Sequence, residues 1–387
     1  MAMTTPELVS SSSARVHVLE LLGNGIVGGM ETCVAALIGR LPRDRFAVSA
    51  VCPYEGELAD QLRAAGADVL VLPMPDDPPW SSIQAGCAFV RAAGVDVLHA
   101  HLPNAHVLAG LIGRLAGRPV LATLHGRQLQ AADLEVHRAA GTFVHTVCRH
   151  SYYQALGMGV DARALSCIPN GVDTQRYQPG ESRCALRASL GLEPSVPLVG
   201  FVGRLSPEKA PEVFVRAALL LRQLAPQAHC VICGDGPLRE SLQAQVECMQ
   251  LEGRVHFVGL RRDMPEVYRA LDVCVCTSNS EGMPLALMEA MASALPVVAT
   301  RVGGVPDLVE HGRTGWLVGP RDYEGAAQAI ARLLAHDDER HGMGRRARER
   351  AVQHFALDES IAGTAELLQR LAAHPAPQRA AAARSAG

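Results

Sequence analysis

The chain has 387 residues, of which 48% are hydrophobic and only 4% aromatic, so we expect two domains with aliphatic cores. The formal net charge of −3 argues against a nucleic-acid partner, and we find no uncharged apolar run long enough to span a membrane. Residues 1–14 lack the basic and apolar segments of a secretory signal, which predicts a cytoplasmic location.

Short aliphatic runs alternate with helical patterns along the whole chain, which is typical of α/β folds with parallel sheets covered by helices on both faces. In the first half we predict strands at Val16–Leu22, Ala47–Cys52, Val69–Leu72, Val95–His99, Val120–Leu124, Thr142–Val147 and Ala164–Ile168. In the second half we predict strands at Leu198–Val202, Ala228–Cys233, Val255–Val258, Val273–Cys276, Pro296–Ala299 and Gly315–Val318. Each half is therefore expected to form its own doubly wound, Rossmann-like sheet.

Turn residues and prolines in the region 170–196 indicate a hinge between the two halves. The predicted organisation is a disordered tail at 1–14, an N-terminal domain at 15–178, a C-terminal domain at 179–354, a helix at 355–373 and a disordered tail at 374–387. Ligands of open parallel sheets bind beyond the carboxyl ends of the strands. Two such domains facing each other are expected to form a ligand cleft lined by both sets of loops.

A glycine-rich loop follows the first predicted strand. Gly28 and Gly29 open a predicted helix at Thr32–Leu41 and leave backbone N–H groups bare for an anion. The spacing Gly23-x-Gly25-x-x-Gly28 also matches a dinucleotide-binding fingerprint, which keeps a nicotinamide or flavin site open as an alternative. That site needs an acid at the end of the second strand. Asp44 precedes the predicted strand and Glu55 lies too far along the chain.

Three histidines follow or end predicted strands. His125 comes directly after Val120–Leu124, and a polar residue at the end of an apolar strand favours a functional role. His99 and His101 end an earlier strand. For each of these two we prefer a satisfied structural role, with contact to an acceptor as the alternative.

The cysteines follow no paired spacing typical of a zinc site. Cys230 and Cys233 form a C-x-x-C sequence, but both lie within a predicted strand, as do Cys274 and Cys276. Free cysteine behaves as a small hydrophobic residue, so these four are expected to be buried, reduced thiols. The sequence shows no set of metal ligands.

The loop after the first strand of the second domain carries two cations, Arg204 and Lys209. Lys209 is the only lysine among the 36 basic residues, which indicates that this position requires a compact ammonium group. Two cations at one strand end suit a diphosphate, since each charge-assisted hydrogen bond contributes about 1.5–3 kcal/mol. A solvated loop with ordinary surface cations is the alternative interpretation.

Residues 278–296 carry the strongest functional pattern, with Glu281 before a helix and Glu289 inside it. Pro284 suits the first helical turn, so we predict that the helix begins at residue 284. Side chains lean toward the N-terminus of a helix, where free N–H groups hold phosphate. Glu289 is therefore expected to reach a ribose hydroxyl, and Glu281 to face the group that a diphosphate carries.

Glu281 and Glu289, in their context of Ser-Glu-Gly-Met-Pro and Ala-Met-Ala, resemble the paired-glutamate motif of retaining glycosyltransferases of the GT-B fold, in particular glycosyltransferase family 4. Arg204 and Lys209 resemble the Gly-Arg…Lys motif of that family, and His125 its Thr-x-His-Gly position. The resemblance implies a retaining, metal-independent transferase that moves a sugar from a nucleoside diphosphate sugar, with UDP as the expected nucleotide, to an acceptor hydroxyl.

The resemblance also implies a role for each candidate residue. The implied catalytic residues are His125, Arg204, Lys209 and Glu281. Neither Glu281 nor Glu289 is implied to be a covalent nucleophile. The donor is implied to contact Gly28, Gly29, Arg204, Lys209, Gly234, Gly259, Leu260, Glu281, Gly282, Met283, Pro284, Leu285 and Glu289. The loops at Gly234 and Gly259 are those that hold the base. No bound cofactor is implied.

The implied acceptor is a saccharide or a lipid-linked saccharide, as in polysaccharide, lipopolysaccharide or glycolipid biosynthesis. Peripheral contact with the inner membrane face is left open, because the Ala- and Leu-rich helix at 105–117 is equally a core element. The segment Thr146–Ser151 departs from the family pattern, which leaves contacts there open. A non-catalytic nucleotide-sugar-binding protein and an NAD-dependent oxidoreductase using Gly23–Gly28 are the alternatives.

Overall fold

Strands and helices alternate along residues 15–126, 128–180 and 184–373, which are the residues described by the computed structural model. The strands are β1 Val16–Leu22, β2 Phe46–Cys52, β3 Asp68–Val71, β4 Val97–His101, β5 Val120–Leu124, β6 Phe143–Thr146, β7 Leu165–Cys167, β8 Leu198–Val202, β9 His229–Cys233, β10 Val255–Gly259, β11 Val273–Cys276, β12 Val297–Thr300 and β13 Gly315–Val318. A short 3-10 helix lies at Ala162–Ala164.

Helices connect these strands. They are α1 Gly29–Arg40, α2 Glu57–Ala64, α3 Trp80–Ala93, α4 Pro103–Ala116, α5 Ala131–Ala140, α6 Arg149–Gly157, α7 Cys184–Ser189, α8 Pro211–Leu224, α9 Arg239–Cys248, α10 Met264–Ala270, α11 Leu285–Ala292, α12 Val305–Leu308, α13 Tyr323–Ala335, α14 Asp337–His354 and α15 Leu357–Ala373. The predicted tails at 1–14 and 374–387 lie outside the described residues.

The strands form two sheets, as the alternation of strands and helices predicts. The first has seven strands in the order β3-β2-β1-β4-β5-β6-β7, and the second has six in the order β10-β9-β8-β11-β12-β13. All neighbours in the second sheet pair in parallel. Parallel strands need crossover connections, and the helices supply them. The predicted α/β fold with two Rossmann-like sheets is confirmed.

Each predicted strand lies on an observed strand, with ends that differ by two residues at most. The largest shift is at β4, predicted at Val95–His99 and observed at Val97–His101. Helix α3 ends with Gly94 in the left-handed conformation, and the Val95 N–H donates to the Val90 carbonyl oxygen. Val95 therefore belongs to the turn that ends the helix, and the strand starts later.

Both faces of the second sheet are covered by buried side chains. One face packs Val199, Phe201 and Val275 under helices α8 and α13, and the other packs Leu198, Cys274 and Val297 under helices α11 and α14. Burial on both faces explains why these strands read as continuous aliphatic runs rather than alternating ones. Cys230, Cys233 and Cys274 are buried, and Cys276 is half-buried; all four are free thiols.

Contacts within the chain divide it into two compact units. Of the described residues, the first unit comprises 15–122, Glu135–Phe143 and 365–373. The second unit comprises Thr123–Leu134 and Val144–Thr364. The predicted domain boundary between residues 178 and 179 stays a prediction.

Helix length and polarity also bear on membranes. Among the described residues, no helix combines the length and the apolar character that crossing a bilayer requires. The Ala- and Leu-rich helix predicted at 105–117 is α4, and its inward face is buried. Its outward face exposes Leu111 and Leu115, at 41% and 50% of their surface.

Candidate active site

The loops after β8 and β11 meet at the carboxyl edge of the six-stranded sheet. These strands are neighbours, and the strand order reverses between them, because β9 and β10 extend the sheet on one side and β12 and β13 on the other. A reversal of this kind separates the two connecting loops and opens a crevice for a ligand. The crevice brings together Lys209 and Glu281, which are 72 positions apart in the sequence.

Lys209 and Glu281 form an ion pair at the base of this crevice. The Lys209 Nζ atom lies 2.7 Å from Glu281 Oε1, and the Ser278 hydroxyl donates to the same oxygen at 2.6 Å. Glu281 is only 7% exposed. Among the described residues no donor hydrogen-bonds to Oε2, so one oxygen is anchored and the other is available to a ligand.

Two opposing effects set the charge of Lys209. Burial acts to lower its pKa, but the adjacent Glu281 carboxylate outweighs burial, and the net pKa lies above the ordinary lysine value. Lys209 therefore stays charged at any physiological pH. An ammonium group has three N–H donors and one of them is used by Glu281, which leaves donors for an incoming anion.

The two loops are also fixed to each other through their backbones. The Thr277 hydroxyl donates to the Ala210 carbonyl oxygen at 2.9 Å, and the Asn279 N–H donates to the Glu208 carbonyl oxygen at 2.8 Å. The geometry of the Lys209–Glu281 pair is thus preorganised before any ligand arrives. Sequence patterns predicted both residues as site residues but did not predict that they bind each other.

Arg204, the second predicted cation, lies in the same loop after β8. Its side chain is exposed, and it makes no hydrogen bond or ion pair with any residue that the structure describes. A solvated guanidinium keeps its full set of donors for a ligand. The structure therefore places Arg204 in the correct loop but does not bring it into contact with Glu281 or Lys209.

Glu289 projects from α11, which begins at Leu285 with Pro284 as the N-cap residue, one position later than predicted. Its Oε2 atom accepts a hydrogen bond from the Tyr268 hydroxyl at 2.8 Å, and the Tyr177 hydroxyl is a second partner. Burial raises the pKa of Glu289, while the two tyrosines partly oppose that rise. The sequence analysis missed both tyrosines, because neither lies near Glu289 in sequence.

The glycines of the predicted base-binding loops adopt backbone conformations that favour glycine, and at Gly234 a side chain also does not fit. A Cβ atom at Gly234 would lie 1.9 Å from the Gly203 carbonyl oxygen, and its φ of 144° also requires glycine. Gly259 has a φ of 68° and is the last residue of β10, which pairs with β9. Leu260, which follows, is 79% exposed. An exposed apolar side chain at a strand end suits contact with a planar base.

His125 approaches the site through its backbone. It follows β5 and is half-buried, and a Cβ atom at Gly282 would lie 2.1 Å from its carbonyl oxygen. Position 282, next to Glu281, therefore admits glycine alone. The Asn170 amide donates to the Met283 carbonyl oxygen at 3.2 Å and holds the following residue. The segment Gly282–Leu285 is thus fixed from two sides.

Gly28 and Gly29 lie in the first unit, where they open α1. Gly28 is the N-cap residue and Gly29 the first helical residue, and both are exposed. Glu31 in the first turn is buried, which raises the pKa of its carboxyl group; hydrogen bonds from the Asn24 side chain and the Gly28 backbone partly oppose this rise. Strand β2 ends at Cys52. The acid that a dinucleotide site requires is therefore absent from the end of β2.

Three side chains in the first unit form a cluster that the sequence analysis did not predict. Glu20 on β1 accepts hydrogen bonds from His99 and His101 on β4, and all three are buried. Burial acts to raise the pKa of Glu20, but the two histidines reverse the shift and lower it. The preferred satisfied roles of both histidines agree with these bonds. His99 lies inside β4, not at its end as predicted.

Two family models match the chain. The model described as Glycosyltransferase Family 4 matches residues 27–176, and the model described as Glycosyl transferases group 1 matches residues 182–350. Together they include Gly28 and Gly29, His125, and the loops that carry Lys209 and Glu281.

Two named relatives are similar over nearly their whole length. D-inositol 3-phosphate glycosyltransferase of Corynebacterium jeikeium is 31% identical over 408 residues, which covers 94% of this chain and 96% of that protein. UDP-Gal:alpha-D-GlcNAc-diphosphoundecaprenol alpha-1,3-galactosyltransferase of Escherichia coli is 27% identical over 375 residues, which covers 91% and 96%.

A solved structure supports the same relationship. The crystal structure of Anabaena HepE in complex with UDP-glucose superposes with a TM-score of 0.82 at 25% identity and covers 92% of this chain and 100% of that one.

Proposed function

The chain belongs to glycosyltransferase family 4, and from this premise we propose that it transfers a sugar from a UDP-sugar to a lipid-linked saccharide with retention of anomeric configuration. That the protein is a glycosyltransferase with the GT-B fold follows from the family itself. The nucleotide, the acceptor class and the stereochemistry are the parts that we propose.

The observation that carries this proposal is the half-anchored carboxylate of Glu281. Its Oε1 atom is held by Lys209 and Ser278, and its Oε2 atom accepts no hydrogen bond from the described residues. We assign Oε2 to a hydroxyl of the donor sugar. A carboxylate fixed in this way orients the sugar and does not need to move during transfer.

The cations of the loop after β8 suit the diphosphate. Lys209 has donors left over from its bond to Glu281, and Arg204 is exposed with all its donors available. As the bond between the sugar and phosphate breaks, negative charge grows on the leaving phosphate, and both cations stabilise it. We propose that these two side chains do the work of a divalent cation at the diphosphate.

Glu289 and the strand-end loops suit the nucleoside. Its carboxylate, positioned by Tyr268 and Tyr177, is available to the ribose hydroxyls, while Gly234 and Leu260 flank the base. UDP is favoured because HepE was solved with UDP-glucose and the Escherichia coli relative uses UDP-Gal. That relative also acts on a diphosphoundecaprenol-linked acceptor, which supports a lipid-linked saccharide and a peripheral position at the membrane.

Retention follows from attack on the face that the diphosphate leaves. The acceptor oxygen bonds to the anomeric carbon as the carbon–oxygen bond to phosphate breaks, and the acceptor proton passes to a departing phosphate oxygen. The nucleoside diphosphate leaves with that proton. Glu281 acts as a positioning group and forms no covalent bond to the sugar, and we propose that His125, beside Gly282, contacts the donor sugar.

A donor panel tests the proposal. Labelled UDP-glucose, UDP-galactose and GDP-mannose are incubated with a short lipid-linked acceptor, and product formation and donor hydrolysis are followed, with nuclear magnetic resonance assigning the anomeric configuration. We expect transfer from a UDP-sugar with retention, unchanged when a chelator is present during the assay. Binding of a UDP-sugar without turnover would instead support the non-catalytic binder, and inversion would contradict the proposed chemistry.

Site variants test the residue assignments. We expect Glu281→Gln, Lys209→Ala and His125→Ala each to lower kcat/KM by at least a hundredfold while the fold is kept, since each removes a contact to donor or leaving group. Glu252→Gln, on an exposed loop after α9, is the control for a lost carboxylate. Transfer at the wild-type rate in all three site variants would refute the assignments.

A further inference from the structure

The central strands of the first sheet carry a buried cluster to which the proposed chemistry assigns no role. In the parallel pair formed by β1 and β4, Glu20 is directly opposite His99, and His101 lies two residues further along β4. Side chains alternate between the faces of a strand, so these three share one face. The opposite face carries Leu19, Leu21 and Leu98, which belong to an apolar core.

The three side chains converge on a single point. His99 Nδ1 lies 2.9 Å and His101 Nε2 lies 2.8 Å from Glu20 Oε2, and the ligating atoms of all three residues lie within 4.8 Å of one another. Ligands about 2.0–2.2 Å from a zinc ion are about 3.0–3.5 Å apart from each other. The two distances to Glu20 Oε2 are therefore a few tenths of an ångström shorter than those around zinc, and small outward shifts would bring these pairs to the spacing that a cation requires.

We propose that Glu20, His99 and His101 form a binding site for a first-row divalent cation, with zinc as the best fit. Two imidazole nitrogens and one carboxylate oxygen form the donor set that Zn²⁺ and neighbouring transition metals prefer, whereas Mg²⁺ and Ca²⁺ prefer oxygen ligands alone. Three protein ligands leave a fourth position for water. This site is independent of the proposed donor site, which lies in the second unit.

Burial supports the assignment. The side chains of both histidines are 2% exposed and that of Glu20 is fully buried. An ionised carboxylate inside a protein requires compensation, which two hydrogen bonds provide in part and a bound cation provides more fully. For the ion to bind, the ring protons facing Glu20 must move to the other nitrogens of each imidazole, so that lone pairs face the cation.

The position of the cluster indicates a structural role. Strands β1 and β4 are neighbours in the middle of the sheet, and the Gly23 N–H donates to the His101 carbonyl oxygen at 3.1 Å. The Asn104 amide, in the first turn of α4, donates to the Gly23 carbonyl oxygen at 2.6 Å. A cation that joins the two strands therefore fixes the start of the glycine loop that precedes α1.

Metal titration tests the site directly. The full chain is stripped with a chelator and dialysed, then titrated with Zn²⁺ alone, and separately with Co²⁺, whose visible absorption reports its ligands. We expect one equivalent of tightly bound Zn²⁺ per chain, a Co²⁺ spectrum without thiolate bands, and a melting temperature raised by several degrees on Zn²⁺ addition. Binding well below one equivalent, or thiolate bands that indicate cysteine ligands, would overturn the proposal.

Variants locate the binding. Glu20→Gln and His101→Gln are each expected to weaken Zn²⁺ binding by at least tenfold and to abolish the thermal shift. His106→Gln, a buried histidine in the same unit that hydrogen-bonds to Thr142, is the matched control and is expected to retain both. Equal Zn²⁺ binding in Glu20→Gln, His101→Gln and the wild type contradicts the assignment. If a cluster variant does not fold, titration of the wild-type chain still tests the proposal, because it shows whether one equivalent of Zn²⁺ binds without cysteine ligands.

Discussion

At the scale of single residues, the site depends on two carboxylates that neighbouring side chains hold in place. Glu281 is held by an ammonium group and a hydroxyl, while Glu289 is held by two phenols. The difference has a consequence for charge. Glu281 has a cation beside it, whereas Glu289 receives hydrogen bonds from neutral phenols and the nearby Arg176 does not offset burial, so its charged form carries a cost in free energy.

This cost predicts opposite effects of Glu289→Gln on stability and on donor binding. Because burial raises the pKa of Glu289, the folded chain holds a proton at pH values where the unfolded chain has lost it, so stability falls as pH rises through that window. The glutamine variant is neutral at every pH. We expect it to melt at a higher temperature than the wild type at pH 7, and to bind UDP-sugar at least tenfold more weakly.

Thermal melts at pH 4 and pH 7, with donor KM at pH 7, check this prediction. At pH 4 the wild-type carboxyl is protonated, so the stability advantage of the variant should disappear. Glu252→Gln is again the control and should change neither quantity. A glutamine variant that is less stable than the wild type by the same amount at both pH values contradicts the charge argument.

Residue patterns in the sequence predicted the members of the site better than their contacts. Glu281, Glu289 and Lys209 were predicted from composition and spacing, because a carboxylate in an apolar helix and a single lysine are unusual. Glu20 was not predicted, since one acid in an aliphatic strand shows no partner until β1 and β4 are paired. Partners far apart in sequence depend on the strand order, which local patterns do not contain.

At the scale of elements, the glycine loops at the carboxyl ends of β8, β9 and β10 pack through backbone atoms. The Gly203 N–H donates to the Cys233 carbonyl oxygen and the Gly234 N–H donates to the Gly259 carbonyl oxygen, so each loop is bonded to the next. This close approach leaves no volume for a Cβ atom at Gly234, whereas Gly203 and Gly259 have space for one. We therefore expect the three loops at Gly203, Gly234 and Gly259 to behave as one rigid unit, which we call the rim.

Gly234→Ala is expected to break this rim. The methyl group would approach the Gly203 carbonyl oxygen to 1.9 Å, and alanine disfavours a φ of 144°. We expect a loss of about 2–4 kcal/mol in the free energy of unfolding, together with weaker donor binding. Gly253→Ala is the matched control, since a Cβ atom at that position meets no atom within 4 Å.

Urea unfolding of the two variants provides the measurement. The Gly253 variant should unfold at the wild-type denaturant concentration. Equal midpoints for both variants would show that the loops after β8 and β9 yield to the extra methyl group, contrary to the rigid-rim description.

At the scale of the whole molecule, one buried ion pair joins segments that are distant in sequence. Arg187 of α7 is 1% exposed and donates to Asp272 at 2.8 Å and to the Ala270 carbonyl oxygen at 2.9 Å. Asp272 also accepts from the Leu198 N–H at the start of β8. The pair thus ties α7 to the beginnings of the two central strands of the second sheet.

Removal of one partner should destabilise the chain strongly. Arg187→Met removes the cation that faces the buried Asp272 carboxylate, and we expect a loss of about 3–5 kcal/mol in the free energy of unfolding. The exposed Arg163–Asp161 pair serves as the control, since Arg163→Met should leave the urea midpoint close to that of the wild type. Urea denaturation of both variants tests this prediction. Equal losses in the free energy of unfolding would contradict the argument from burial.

The fold of the whole molecule was predicted more completely than the site. The aliphatic runs that become β1, β5, β8, β11 and β13 coincide with the observed strands at both ends, because burial on two faces leaves a continuous apolar signal. The end of α3 was harder to predict. Gly94 stops that helix through a left-handed turn that carries Val95 out of β4.

The single lysine of the chain has a practical consequence. Lys209 is 29% exposed at the side chain and supplies the only ε-amine in the sequence, so an acylating reagent can label one side-chain position, which lies within the proposed donor pocket. Bound UDP should shield that amine from the reagent. The fraction of peptide labelled at Lys209, measured by mass spectrometry, therefore reports how much of the protein has UDP bound. A lysyl endopeptidase likewise has one bond to cut, between Lys209 and Ala210. The rate of cleavage at that bond therefore reports how often the loop after β8 opens.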